Sequence, residues 1–122
     1  MNTKRAGHAC FIDQAASAIY VVGGRRLNST EKWTFGQNSW EPSASLPVAL
    51  EDSAAVSSNT DNFIGYMAGG WWRKENGRAG VSQNIYGLTR SEMTWIKLNK
   101  TMKIGRWFHS LLNIPANQVL GC

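Results

Sequence analysis

Apolar positions along this chain fall in short runs separated by polar, Gly- and Pro-bearing punctuation. No segment carries the three-to-four-residue spacing of an amphipathic helix. The runs are rich in β-branched and aromatic residues, which suit strands. The pattern predicts strands over residues 8–13, 18–23, 29–35 and 39–42, then 52–57, 64–68, 82–88 and 94–99, and a last pair over 107–114 and 119–121. The run Ile19-Tyr20-Val21-Val22 is apolar on both faces, as a strand covered on both sides must be. Pro42, Pro47 and Pro115 fall at strand ends or turns, where no ladder donor is lost.

The pattern repeats. Gly23-Gly24 closes the run that starts at Ala18, and Gly69-Gly70 closes the run that starts at Ile64. Trp40 and Trp95 each follow a double glycine. Arg5 and His8 recur with the same spacing as Arg106 and His109, and Leu50 and Ser53 occupy that place in the middle copy. A double glycine after an apolar strand allows positive φ and close backbone approach. Several landmarks in one order over nearly the whole chain resemble the kelch repeat, whose period is ~50 residues. The resemblance implies an all-β fold of kelch-type β-propeller blades, each a four-stranded antiparallel sheet. It divides the chain into repeat 1 (residues 1–45), repeat 2 (46–101) and the start of repeat 3 (102–122). A propeller has about 4–8 blades, so about two blades and the opening of a third are expected to be a fragment.

Composition narrows the function classes. The formal net charge of +5 favours an acidic partner, but no long Lys/Arg tract is present, and nucleic-acid binding is not expected. Two cysteines make neither a disulfide framework nor a zinc site. No apolar stretch has the length of a membrane span, and no secretory h-region opens the chain. A cytoplasmic setting is expected; a secretory signal upstream would make it extracellular and would give meaning to the Asn28-Ser29-Thr30 and Asn99-Lys100-Thr101 triplets.

The kelch resemblance places partner binding on the loops after the second strand of each blade and between blades. On this chain those loops carry Arg25 and Arg26, and Trp71, Trp72, Arg73, Lys74 and Arg78, against one acid, Glu75. Trp and Arg dominate binding hot spots, and Arg pairs bidentately with carboxylates. The expected partner is a protein bearing an acidic peptide segment; the competing reading is solvated loop charge, with Trp71 packed on the next blade. Catalysis is not expected. His8 and His109 share one repeat position and are read as structural, hydrogen-bonded near the inner strand. Trp33, Trp40 and Trp95 are read as core. No cofactor, metal, membrane or small-molecule substrate is expected. By family resemblance the module serves as a substrate receptor of a cullin-type ubiquitin ligase; the alternatives are an actin-binding or extracellular kelch protein and a galactose-oxidase-like copper enzyme. The last needs Tyr, His and Cys ligands converging on the central axis, whereas Tyr20, Tyr66 and Tyr86 read as strand packing.

Overall fold

The structure, a computed structural model, describes residues 1–58 and 60–111. Every regular element among them is a strand: β1 (Ala9–Asp13), β2 (Ala18–Val22), β3 (Thr30–Thr34), β4 (Glu41–Ser43), β5 (Ala54–Ser57), β6 (Phe63–Ala68), β7 (Trp71–Arg73), β8 (Ala79–Val81), β9 (Asn84–Thr89) and β10 (Trp95–Thr101). They form two four-stranded antiparallel sheets, β1-β2-β3-β4 and β5-β6-β9-β10, and a two-stranded hairpin, β7-β8. The all-β expectation holds, with two blade-like sheets. Two local expectations fail. Residues 71–80, expected as loop, fold into the β7-β8 hairpin, and residues 107–111, expected to open a strand, run without one. Residues 112–114 and 119–121 lie outside the described residues.

Strand alternation gives each sheet two faces. On the first sheet Phe11, Tyr20 and Thr30 face the second sheet; on the second sheet Gly65, Leu88 and Trp95 face back. Phe11 stacks on Tyr20 at 5.2 Å and meets Trp95 edge-on at 6.0 Å. Gly65 leaves room for the Phe11 ring, since a Cβ there would lie 2.5 Å from it. The Trp95 indole N–H donates to the Thr30 hydroxyl at 3.2 Å, so its polar tip is satisfied in the seam. At the far end of β1, Arg90 donates both arms to buried Asp13, at 3.0 and 3.2 Å. This fork ties the end of β9 to the first sheet with the bidentate geometry that makes Arg–carboxylate pairs strong.

Trp40 has the sequence place of Trp95 but a different environment. Trp95 is 5% exposed in the seam, whereas Trp40 and Trp33 are half-buried on the opposite face of the first sheet, 6.5 Å from each other. The reading of all three as core is corrected for Trp33 and Trp40: that face has no second sheet against it among the described residues.

The segments leading into each sheet explain the double glycines. Gly24 N donates to Leu50 O at 2.9 Å, and Gly70 N donates to Arg106 O at 2.7 Å. Arg25 N donates to Ala6 O, and Trp71 N donates to Glu51 O. Each double glycine is thus clasped between its own sheet's lead-in and the next one. The first glycines, Gly23 and Gly69, have φ of 66° and 69°. A Cβ at Gly23 would lie 2.6 Å from Leu50 O. Both the left-handed backbone and the close approach therefore require glycine. The same register brings Asp52 N to Gly7 O at 2.7 Å and Phe108 N to Asp52 O at 3.0 Å. Gly7, Asp52 and Phe108 all adopt left-handed φ, of 65°, 55° and 52°.

The landmark side chains diverge where the backbone repeats. The Arg5 side chain is fully buried and donates to Gly23 O, Ser29 O, Ser29 Oγ and Glu31. Burial pushes the Glu31 carboxyl up, but the Asn2 main-chain N–H, Arg5 and Thr3 overcome it and hold its pKa at about 2. Leu50 is a buried apolar residue at the matching place, and Arg106 is exposed and contributes its carbonyl. The shared histidine hydrogen bond is not found. His8 is exposed, and the His109 ring nitrogens are buried against the Ala68 main chain of β6. Burial, then Arg106, holds the His109 pKa below its usual value, against an opposing Ala68 main-chain contact.

Candidate functional site

Two turns, one following β2 of the first sheet and one in the separate β7-β8 hairpin, line a common cleft. The first follows β2: Leu27 N donates to Gly24 O at 2.9 Å, closing a turn over Arg25 and Arg26. Arg26 has φ of 61°, a left-handed conformation that costs a non-Gly residue about 1 kcal/mol. The second is the β7-β8 hairpin. Trp71 and Glu51 exchange main-chain hydrogen bonds of 2.7 and 3.0 Å, anchoring β7 to the lead-in. Lys74 N donates to Arg78 O at 2.7 Å, and Gly77 at φ 82° completes the turn.

Alternation along β7 decides which side chains reach the seam. Trp71 and Arg73 share one side, and both line the cleft with Arg25, Arg26, Ala49 and Glu51. The cleft opens into a groove of about 630 Å³ lined by Arg26, Ala49, Arg73, Lys74, Glu75 and Gly77. Trp72 points the other way. It packs on the core beside Gly80, whose Cβ would meet the Trp72 ring at 2.8 Å, and Lys74 Nζ lies 6.0 Å from that ring. Arg78 is exposed on the return strand side of the turn and is not among the groove-lining residues. Of the seven expected binding residues, the structure therefore gathers Arg25, Arg26, Trp71, Arg73 and Lys74 and leaves Trp72 and Arg78 outside.

The lead-in contributes Ala49, from the between-blade loop over residues 43–50 that was expected at the binding end, and Glu51 and Asp52, which sequence reasoning missed. Ala49 floors the groove, and Glu51 and Asp52 form a notch of about 290 Å³ with Trp71 and Trp107. The Trp71 and Trp107 rings meet at 5.8 Å and 66°. The available signal was positional: Glu51 and Asp52 follow Leu50 as Ala6 and Gly7 follow Arg5. The ion pairs found among the described residues, Arg5–Glu31, Lys32–Glu41 and Arg90–Asp13, all lie elsewhere. The groove cations and the notch carboxylates thus have no ion-pair partner among the described residues, and exposed guanidinium groups lining one groove favour an anionic guest.

Among the described residues no group of three His, Cys, Asp or Glu side chains could hold a metal ion. No helix among them is long and apolar enough to cross a membrane.

No family model and no curated protein matches the chain. Among solved structures, one described as "Structure of YjhT" is similar in fold, with a TM-score of 0.77 at 17% sequence identity. The match covers 92% of this chain and 32% of that one, so the chain spans about a third of the length of this neighbour.

Proposed function

We propose that this chain is part of a kelch-type propeller that binds a partner protein by seating an acidic peptide segment in the seam groove. The observation that carries the reading is the convergence of Arg26 and Arg73, far apart in sequence and from different sheets, on one open groove with no ion-pair partner among the described residues. Guanidinium groups match carboxylates bidentately, and Arg and Trp supply most binding energy at protein interfaces. The left-handed backbone at Arg26 supports the same reading, because strain of this kind clusters at binding sites. A cytoplasmic substrate receptor of a cullin-type ligase is the family-level form of this proposal.

The test uses a fluorescently labelled ten-residue peptide of alternating Glu, Asp and Gly, titrated with the 122-residue chain at near-physiological salt. Changing Arg25, Arg26 and Arg73 together to Ala is expected to weaken binding at least tenfold, and binding to a matched Lys/Gly peptide is expected to be absent. Equal affinity of the triple variant for the acidic peptide would sink the proposal.

A further inference from the structure

The groove does not end at its cations. Beyond Arg25 the cleft runs into the notch of Glu51, Asp52, Trp71 and Trp107, so one continuous surface changes sign along its length. The notch is a built feature. Glu51 is locked beside Trp71 by two main-chain hydrogen bonds, and Asp52 is held between Gly7 O and Phe108 N. The two indoles, set at 66°, form a corner with ring surface on two sides, and Trp107 is 47% exposed. Arg25 lines an adjoining hollow with the same two carboxylates yet comes within 4.0 Å of neither. Acidic side chains would repel an all-acidic ligand here, whereas an ammonium or guanidinium group would meet two carboxylates and two π faces.

Resting on the acidic-segment reading above, we infer that the bound segment is bipolar: carboxylates lie along Arg26, Arg73 and Lys74, and one Lys or Arg side chain of the partner enters the Trp71–Trp107 notch. A partly exposed cation–π contact of about 1 kcal/mol corresponds to about fivefold in affinity. The sign of the expected effect is diagnostic. Neutralising the ligand's lysine makes the peptide more acidic, so long-range attraction to the basic groove alone would strengthen binding, whereas the notch predicts weakening.

The probes are two peptides with the same Glu/Asp block followed by two glycines and then either Lys or acetyl-lysine. The unmodified 122-residue chain is expected to bind the Lys peptide about fivefold more tightly. That preference should fall below twofold in Trp107→Ala and in Glu51→Gln combined with Asp52→Asn, the ratio of the two affinities being the readout. Asn is chosen because it tolerates the left-handed backbone at position 52, and thermal melts establish that each variant is folded. Equal binding of the two peptides, or a preference that survives in both folded variants, overturns the bipolar inference and leaves the acidic-segment reading standing. Failure of both peptides to bind overturns both readings.

Discussion

Replacing single glycines by alanine separates two reasons for the double glycine. At Gly77 the backbone is left-handed, with φ of 82°, and a Cβ would have nothing within 4 Å. Alanine there incurs only the left-handed penalty of about 1 kcal/mol, partly offset by the lower entropy of its unfolded chain. At Gly23 the φ of 66° is comparable, but the Cβ would lie 2.6 Å from Leu50 O. The carbonyl must retreat by about 0.8 Å to reach ordinary contact at 3.4 Å, and it is the acceptor of the 2.9 Å bond from Gly24 N. Overpacking of this kind costs about 1–3 kcal/mol, and loss of the hydrogen bond about 1 more. Gly23→Ala should therefore destabilise by about 3 kcal/mol or more, and Gly77→Ala by about 1 or less. Urea unfolding followed by tryptophan fluorescence gives both values from midpoints at a common slope. If the two variants agree within about 0.5 kcal/mol, the close approach at the seam carries no energy and only the dihedral matters.

Further predictions follow from the ion pairs and the strained turn. Glu31 has a folded pKa of about 2, below its ordinary 4.5, so its contribution is complete above about pH 5 and is lost as pH falls through 2. This amounts to about 3 kcal/mol across that window. Urea midpoints should fall accordingly in the unmodified chain. In Glu31→Gln that part of the fall should vanish, with lower stability at neutral pH because Arg5 is left buried opposite a neutral amide; a retained fall would refute the assignment. Arg26→Asn should raise stability by about 0.5 kcal/mol, because Asn tolerates left-handed φ, while weakening acidic-peptide binding; melts and titrations on the same sample check both signs. Trp95→Phe should cost about 1–2 kcal/mol by removing the indole donor to buried Thr30, and a double-mutant cycle with Thr30→Val should recover part of it.

The double glycines were legible because a geometric demand at those positions leaves one residue type. The left-handed positions Gly7, Asp52 and Phe108 were not, because three different residues meet the same demand there. The β7-β8 hairpin was hidden by short strands, although Asn76-Gly77 between Trp72 and Gly80 is a turn signal. The basic half of the groove could be read from loop charge, but its acidic and aromatic half could not. Glu51 and Trp107 reach the site through lead-ins whose sequence landmarks, Leu50 and Arg106, mark only a carbonyl position. Trp33 and Trp40 were misjudged because an aromatic in a repeat is buried only where a neighbouring sheet is supplied, as it is for Trp95.

The clasp around each double glycine is made mainly of amides and carbonyls, with one side-chain donor added at each, Arg5 on Gly23 O and Ser53 on Gly69 O. A junction drawn in main-chain atoms is indifferent to most side-chain replacement, so copies of the unit can drift until Arg5, Leu50 and Arg106 share nothing but a place. Mutational freedom and architectural fixity then coexist in one joint: a scaffold can keep its outline at 17% identity to a distant neighbour while the residues released from structural duty are left to vary with whatever the rim must hold.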